Sequence, residues 1–178
     1  METLKNTAGS ARKPGPPHQQ RNHQERGFDQ AQSDLGFYRR LFHLKNGQRV
    51  MLRLLQERDR HHLIDLFQKA SVEDIWFFKH DVRNRSLTTY WLNHLDYRRL
   101  LPLVALNPED NQLIAAATLL RGQHTAHHIG EIELFIARPF RNLGLGSILL
   151  DELIRWAGQE KLRWLKAEVV ADHKQMVT

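Results

Sequence analysis

Two carboxylates and a glycine-containing loop occur close together between residues 130 and 147. Glu131 and Glu133 alternate with aliphatic residues, which is the period-two pattern of a β-strand with two different faces. Both carboxylates are therefore predicted to lie on one face of that strand. A carboxylate held on a strand can accept a proton from a reacting group, so this pair is a candidate for general-base chemistry.

The loop that follows this strand contains Gly144 and Gly146 and feeds a helix predicted from Ser147 onwards. Glycine permits positive φ and lets backbone N–H groups approach a ligand without a Cβ in the way. Unpaired N–H groups and the helix dipole favour a phosphate at such a helix N-terminus, and Arg138 and Arg141 can add positive charge. The loop is therefore predicted to bind an anion.

The elements after the loop also follow from the pattern of apolar residues. Along the helix these residues recur on one face, whereas Glu152 and Arg155 fall outside it. The stripe consists of Leu149, Leu150, Leu153, Ile154 and Ala157. An apolar strand is predicted at 162–170, parallel to the strand of Glu131, because the connection between them is a short β-helix-β crossover.

The loop carries a family motif as well. Arg141, Gly144 and Gly146 match the pattern [QR]-x-x-G-x-[GA], which resembles the acetyl-CoA-binding motif of the GNAT acyltransferase superfamily. The dinucleotide fingerprint G-x-G-x-x-G fails here, because Leu149 stands at the third glycine position, and no P-loop sequence follows.

Within that superfamily, the chain looks most like the Pat-type protein lysine acetyltransferase domains. Their Glu-bearing strand, turn and aromatic residue are matched by Glu131, residues 138–139 and Phe140. Further matching blocks in the same order are Arg53 with Asp59, residues 94–97 and residues 103–105.

This resemblance implies an α/β fold with a mixed, mostly antiparallel sheet flanked by helices, in which a splayed parallel pair of strands leaves a slot for pantetheine. It implies acetyl-CoA as the co-substrate and a primary amine, such as a protein lysine, as the acceptor. Glu131 is then the general base, with Glu133 as the fallback. The residues implied to bind acetyl-CoA are Phe135 and Ile136, through their backbone groups, and Arg141, Asn142, Leu143, Gly144, Leu145, Gly146 and Ser147.

The composition changes along the chain. Residues 1–36 are polar and nearly lack large apolar side chains, so we expect a disordered tail there, followed by one acetyltransferase domain at 37–178. Residues 1–48 hold eight Lys or Arg and four Asp or Glu, a charge of +4 out of +6 for the whole chain. The basic character belongs mainly to the tail, so a nucleic-acid partner is not expected.

The residue types limit the chemistry and the location. The chain has no cysteine, which excludes disulfides and thiolate catalysis, and it has no run of eighteen apolar residues. We therefore expect a cytoplasmic protein with no membrane partner. His124, His127 and His128 share a polar turn without neighbouring Asp, Glu or Cys, so loop histidines are favoured over a metal site, and no metal is expected.

The first half of the domain is predicted to supply a hairpin and three helices. Strands at 38–44 and 49–54 are joined by a two-residue turn at 46–47. Asp59 is predicted to cap the first helix, Ser71 and Asp74 to form a capping box for the second, and a third helix to cover 87–94. A later strand is predicted at 113–120. The aromatic residues Trp76, Phe78, Tyr90 and Trp91 fit either a core or a substrate groove.

The end of the sequence departs from the GNAT pattern. His173 stands where an Asn is usual, Met176 matches, and the sequence stops at Thr178. We therefore expect the last helix and hairpin of the fold to be absent and the sheet edge to be completed by a partner chain or a missing segment. Two functions stay open at this point: an amine acetyltransferase, and a catalytically degenerate acyl-CoA-binding regulatory module.

Overall fold

A six-stranded sheet forms the centre of the computed structural model, which describes residues 38–76, 78 and 80–167. Its strands are β1 (Arg39–His43), β2 (Arg49–Leu54), β3 (Leu100–Leu106), β4 (Leu113–Arg121), β5 (Ile129–Ile136) and β6 (Trp164–Ala167). Each strand pairs with the next one along the chain. All of these pairs are antiparallel except β5 and β6, which run parallel. The predicted mixed sheet with one parallel pair is confirmed.

Helices cover both faces of the sheet. They are α1 (Arg60–Gln68), α2 (Val72–Ile75), α3 (Arg85–Asn93) and α4 (Leu145–Gln159). One core cluster joins α4 to one face, for example through Leu149 and Leu103. A second cluster joins the first three helices to the opposite face, for example through Leu63 and Val104. The alternation of side chains along each strand thus gives the sheet two separate apolar faces.

Residues 45–47 form a three-residue loop between β1 and β2, in place of the predicted two-residue turn. The flanking residues Leu44 and Gln48 extend the pairing of the two strands. The Leu44 amide donates to the Gln48 carbonyl at 2.9 Å, and the Gly47 amide donates to the Leu44 carbonyl at 2.8 Å. Gly47 has φ of 83°, a left-handed conformation that glycine adopts without strain. Three-residue hairpin loops commonly end in such a residue, so the glycine is required although the loop is longer than expected.

Asp59 lies at the N-terminus of α1, but its side chain does not cap that helix as predicted. Its two carboxylate oxygens accept hydrogen bonds from the Arg53 guanidinium at 2.5 and 2.7 Å. Both side chains are buried. A buried arginine must find an anionic partner, so this bidentate pair outcompetes the cap and joins β2 to the first helix.

The third helix places two predicted groove or core residues in solvent. It begins after Asn84, whose side chain accepts a hydrogen bond from the Leu87 amide, so it starts two residues earlier than predicted. Tyr90 is 62% exposed and Trp91 is 38% exposed. Trp76, after α2, is 65% exposed, whereas Phe78 packs against the second core cluster. The core interpretation therefore holds for Phe78 and is wrong for the other three.

The buried side of α4 differs from the predicted stripe. Leu149 and Leu153 are buried as expected, but Leu150 and Ile154 are 40% and 48% exposed. Glu152, predicted to lie off the stripe, is only 5% exposed. The buried face of the helix is therefore shifted toward this glutamate.

A cluster of polar groups explains why Glu152 can be buried. Its carboxylate accepts a hydrogen bond from the Tyr38 hydroxyl at 2.5 Å and further hydrogen bonds from Arg40 and Arg155. Burial alone would raise the pKa of Glu152, but the hydrogen bonds from Arg155 and Tyr38 outweigh it and lower that pKa. Burial, together with the adjacent carboxylate, raises the pKa of Tyr38 to about 12. The cluster ties α4 to the residues at the start of β1.

Several predictions concern residues outside the described ranges. These are the disordered tail at 1–36, the continuation of the last strand over 168–170, the departure at His173 and the match at Met176. The expected absence of a final helix and hairpin also falls after Ala167, outside the described part of the chain. Among the described residues, no helix combines the length and apolar character needed to cross a membrane.

Removing the Glu152 carboxylate should destabilise the fold. Glu152→Ala leaves Tyr38 and two arginines without their shared acceptor, although Arg40 and Arg155 are exposed enough to turn toward water. We therefore expect a loss of about 1–2 kcal/mol in the free energy of unfolding, measured by urea denaturation. Glu109→Ala, at a carboxylate 76% exposed and 3.9 Å from Arg49, is the control and should change it by less than about 0.5 kcal/mol.

A second substitution at this position, Glu152→Gln, tests the pH dependence. Because the folded-state pKa of Glu152 is lowered, its stabilisation is present above its unfolded pKa of about 4.3 and is lost as the pH falls through the folded pKa. The stability difference between the wild type and Glu152→Gln should therefore shrink below pH of about 4. A difference that stays constant down to pH of about 2 would contradict the assignment.

Candidate active site

Strand β5 places Glu131, Glu133 and Phe135 on one face of the sheet, since these positions alternate along the strand. The ring of Phe135 identifies that face, because it lies 5.4 Å from the ring of Phe67 in α1 and belongs to the second core cluster. Both carboxylates therefore share the face covered by the first three helices. Each is half-buried.

Glu131 has a lysine as its strand neighbour. In the parallel pairing of β5 with β6, Glu131 is in register with Lys166, and on its other side it is opposite Leu120 of β4. Residues in register on neighbouring strands project to the same face, so a carboxylate and an ammonium group lie side by side there. The sequence did not indicate Lys166 as a site residue, because the register of a parallel pair cannot be read from local spacing.

The parallel pair is short, and this leaves part of β5 unpaired on one side. The paired positions extend from Ile129 with Trp164 to Ile132 with Ala167. Over 133–136, β5 has no β6 partner among the described residues, while β4 remains paired along the whole strand. Within the described part of the chain, the backbone groups on that side of β5, which we call the slot side, have no strand partner, and the Ile136 carbonyl accepts a hydrogen bond from Nε of Arg141.

The register decides which backbone groups face this slot. The Gly122 amide donates to the Ile129 carbonyl, and the Ala137 amide donates to the Ile114 carbonyl. Because backbone groups alternate in direction along a strand, odd-numbered positions of β5 face β4, and Leu134 and Ile136 face the slot. Of the two residues implied to bind acetyl-CoA through their backbones, Ile136 therefore faces the slot, whereas the backbone of Phe135 is directed to β4.

The loop between β5 and α4 contains the two glycines for different reasons. Gly144 precedes the first residue of α4 and has φ of 88°, so it needs the conformational freedom of glycine. Gly146 has no positive φ, and a Cβ there would lie 3.4 Å from Cδ1 of Ile136. Asn142 also has positive φ, 63°. Only Gly144 therefore meets the prediction that the glycines serve positive φ.

Gly144 occupies the N-cap position of α4, and because it has no side chain, it cannot cap the first N–H groups of the helix. The first N–H groups of a helix have no partner within the helix and carry its positive dipole end. Lys45, from the β1–β2 loop, adds a cation here. Its amide donates to the Leu143 carbonyl at 3.0 Å, and its Cε would lie 3.7 Å from a Cβ on Gly144. Sequence spacing did not reveal Lys45, which is 100 positions away from the helix start.

The two arginines of the loop converge on one carboxylate. Arg141 donates from Nη1 to Asp74 at 2.9 Å and from Nε to the Ile136 carbonyl at 2.9 Å. Arg138 donates from Nε to Asp74 at 2.7 Å and from Nη2 to the Ser71 hydroxyl at 2.7 Å. The predicted Ser71–Asp74 capping box is therefore wrong, because the arginines take both side chains.

Asp74 is almost completely buried by these contacts, with 5% of its surface exposed. Burial alone would raise the pKa of Asp74, but the hydrogen bonds from Arg141 and Arg138 outweigh it and hold that pKa below its usual range. The carboxylate is thus ionised at neutral pH. Beside it lies a cavity of about 310 Å³ between α1 and the end of β5, with Lys69 and Arg138 at its rim and Phe135 in its lining.

No candidate metal centre accompanies these groups. Within residues 38–167, as far as they are described, no three His, Cys, Asp or Glu side chains lie close enough together to hold a metal ion. The rings of His127 and His128 pack edge to face with centroids 5.5 Å apart.

Known proteins share this sequence pattern and fold. The sequence profile of the acetyltransferase (GNAT) family matches residues 61–177. The chain belongs to this family. GNAT enzymes use acetyl-CoA as co-substrate, so the protein is an N-acetyltransferase. A search of curated proteins finds no significant match.

Solved GNAT structures show the same fold. The chain is similar to the GNAT domain of S. lividans PAT, with 19% identity and a TM-score of 0.69 over 78% of this chain and 82% of that one. It is also similar to a GNAT-family acetyltransferase from Streptococcus pneumoniae, with 23% identity and a TM-score of 0.61 over 72% and 79% of the two chains. An N-acetyltransferase from Staphylococcus aureus Mu50 gives 18% identity and a TM-score of 0.61 over 72% and 78%. The predicted family and fold are confirmed.

Negative charge at Gly146 should weaken acetyl-CoA binding if the loop holds the diphosphate. Gly146→Asp and Gly146→Asn add side chains of nearly equal shape, so only the charge differs between them. An aspartate in the first turn stabilises a helix, so weaker binding by this variant cannot come from loss of α4. We expect Gly146→Asp to bind at least about tenfold more weakly than Gly146→Asn in calorimetry. Equal affinities would remove the loop from the diphosphate site.

Proposed function

We propose that this GNAT protein transfers the acetyl group of acetyl-CoA to the side-chain amine of a protein lysine, with Glu131 as the general base. The observation that carries the proposal is the position of Glu131 on β5. It lies one residue before Ile132, where the described pairing with β6 ends, and it projects to the face of the three N-terminal helices. A base at this point stands beside the opening of the slot.

The proposed path of acetyl-CoA follows from the same strand. Pantetheine lies in the slot and forms hydrogen bonds with the backbone groups of Leu134 and with the Ile136 amide, since the Ile136 carbonyl already accepts from Arg141. The diphosphate lies against the N-terminus of α4, where backbone N–H groups and the helix dipole favour an anion. Lys45, next to Gly144, and Arg141 of the loop supply positive charge. The thioester is then near the middle of β5, within reach of the face that carries Glu131.

A base is needed because the acceptor is protonated at neutral pH. A lysine with a pKa of about 10.4 is neutral in only about four molecules in ten thousand at pH 7, a deficit of roughly 4.6 kcal/mol. Glu131 first removes one proton from the ammonium group, directly or through one water, and the neutral amine then attacks the carbonyl carbon of the thioester. The C–S bond breaks, CoA leaves as the thiolate, and the second proton on the nitrogen passes to that thiolate or to solvent. Glu133 shares the face and is the second candidate for the base.

The surface around this face favours a protein as the acceptor. Trp76 and Tyr90 are each more than 60% exposed, and Trp91 is 38% exposed. Large aromatic side chains in solvent are typical of surfaces that contact other proteins. Tyr90 and Trp91 lie on α3 and Trp76 directly follows α2, both helices being on the same side of the sheet as Glu131. These aromatic residues are proposed to contact the polypeptide that carries the acceptor lysine.

The proposed base is tested by Glu131→Gln, which keeps the shape of the side chain and removes its basicity. We expect normal acetyl-CoA binding in calorimetry and a loss of about a hundredfold to ten-thousandfold in the rate of lysine-peptide acetylation. The loss should shrink as the pH rises toward the pKa of the acceptor, because the amine then deprotonates without help.

Glu133→Gln is the matched control, since it makes the same change on the same face and should retain most of the activity. The opposite result for the two variants would assign the base to Glu133. A regulatory acyl-CoA-binding module would instead bind acetyl-CoA with no turnover in the wild type or in either variant.

A further inference from the structure

Asp74 is a buried carboxylate in a helix of only four residues, and the base chemistry proposed above does not use it. Its two oxygens accept hydrogen bonds from two different arginines of the β5–α4 loop, Arg138 and Arg141. Burying a carboxylate is costly unless it is paired, so breaking the contact would leave an uncompensated buried charge. It joins α2, on the face of Glu131, to the loop at the end of β5.

The contacts restrict the two arginines to different degrees. Arg141 is 30% exposed and is held by Asp74 and by the Ile136 carbonyl. Within the described residues these contacts use Nε and Nη1 and leave Nη2 for a ligand. Arg138 is 63% exposed and is held by Asp74 and Ser71. An arginine side chain otherwise loses much rotamer freedom when it binds a phosphate.

We propose that Asp74 is a positioning residue for the CoA diphosphate, because it fixes Arg141, and with it Arg138, in the loop that leads into α4. The inference rests on the proposed location of the diphosphate at this loop. With Asp74 in place, the arginines are ordered before the cofactor arrives, so binding does not have to order them. The low pKa of Asp74 keeps this pairing intact at neutral pH.

Asp74 also carries a negative charge near the proposed phosphates, which by itself would oppose their binding. Two positive charges, those of Arg138 and Arg141, pair directly with this one carboxylate. The carboxylate is enclosed by the two guanidinium groups and is 5% exposed. Its charge is therefore largely neutralised where a ligand approaches, and the ordering of the arginines is the larger effect.

The test compares two ligands that differ in the phosphates. CoA carries the diphosphate, whereas pantetheine lacks it but fills the same slot. In calorimetry, we expect Asp74→Asn to weaken CoA binding about tenfold and to change pantetheine binding by less than about twofold. Asp65→Asn removes one charge from an exposed carboxylate on α1 that lines the neighbouring cavity, and it should leave both affinities unchanged.

A second variant keeps the inference testable if Asp74→Asn folds poorly. Because Asp74 is proposed to act through Arg141, Arg141→Ala should weaken CoA binding, and adding Asp74→Asn to it should cost little more. Unchanged or tighter CoA binding by Asp74→Asn, equal losses for CoA and pantetheine, or fully additive losses would each overturn the role of Asp74. If Arg141→Ala and Gly146→Asp both bind CoA as well as the wild type, the proposed loop site itself fails, which is a different result.

Discussion

The backbone hydrogen bonding of β5 is the constraint on which the rest of the structure depends. This strand is paired with β4 along its length but with β6 only as far as Ile132 in the described part of the chain. Its side chains alternate between the core under α4 and the core under the first three helices. The edge of β5 beyond Ile132 forms one side of the slot, where the Ile136 backbone lies. One face of the same strand carries Glu131. The same strand delivers the loop that begins α4.

Buried carboxylates hold the surrounding elements together. Asp59, Asp74 and Glu152 are each at most 5% exposed, and each accepts hydrogen bonds from arginine. Each of these carboxylates connects separate elements of the chain, although Glu152 also binds Arg155 within its own helix. Such pairs contribute less to net stability than their Coulomb energy suggests, because desolvation opposes it. Their main effect is to fix which elements meet, and in the case of Asp74 this concerns the loop beside the proposed cofactor.

The charge distribution fits a site that holds an anion on one side and deprotonates a cation on the other. Lys45 and the arginines lie at the loop, whereas Glu131 and Glu133 lie on the helix-covered face of β5. The two signs are separated along one strand. In the proposed function, a phosphate and an ammonium group bind at different ends of this strand. Lys166, in register with Glu131, adds a basic group at the proposed acceptor end.

The local sequence pattern determined the strand that carries the carboxylates and the family of the protein. Alternation predicted β5 and its carboxylate face, and the Arg141–Gly146 motif predicted the family, because both depend on neighbours in the chain. Only the tertiary structure decided what depends on partners distant in sequence. Asp74 fits a helix cap by spacing, yet arginines 64 and 67 residues away take its carboxylate. Glu152 is buried for the same reason. A buried charged side chain must pair with an opposite charge, and the packing of the whole sheet determines where that partner lies.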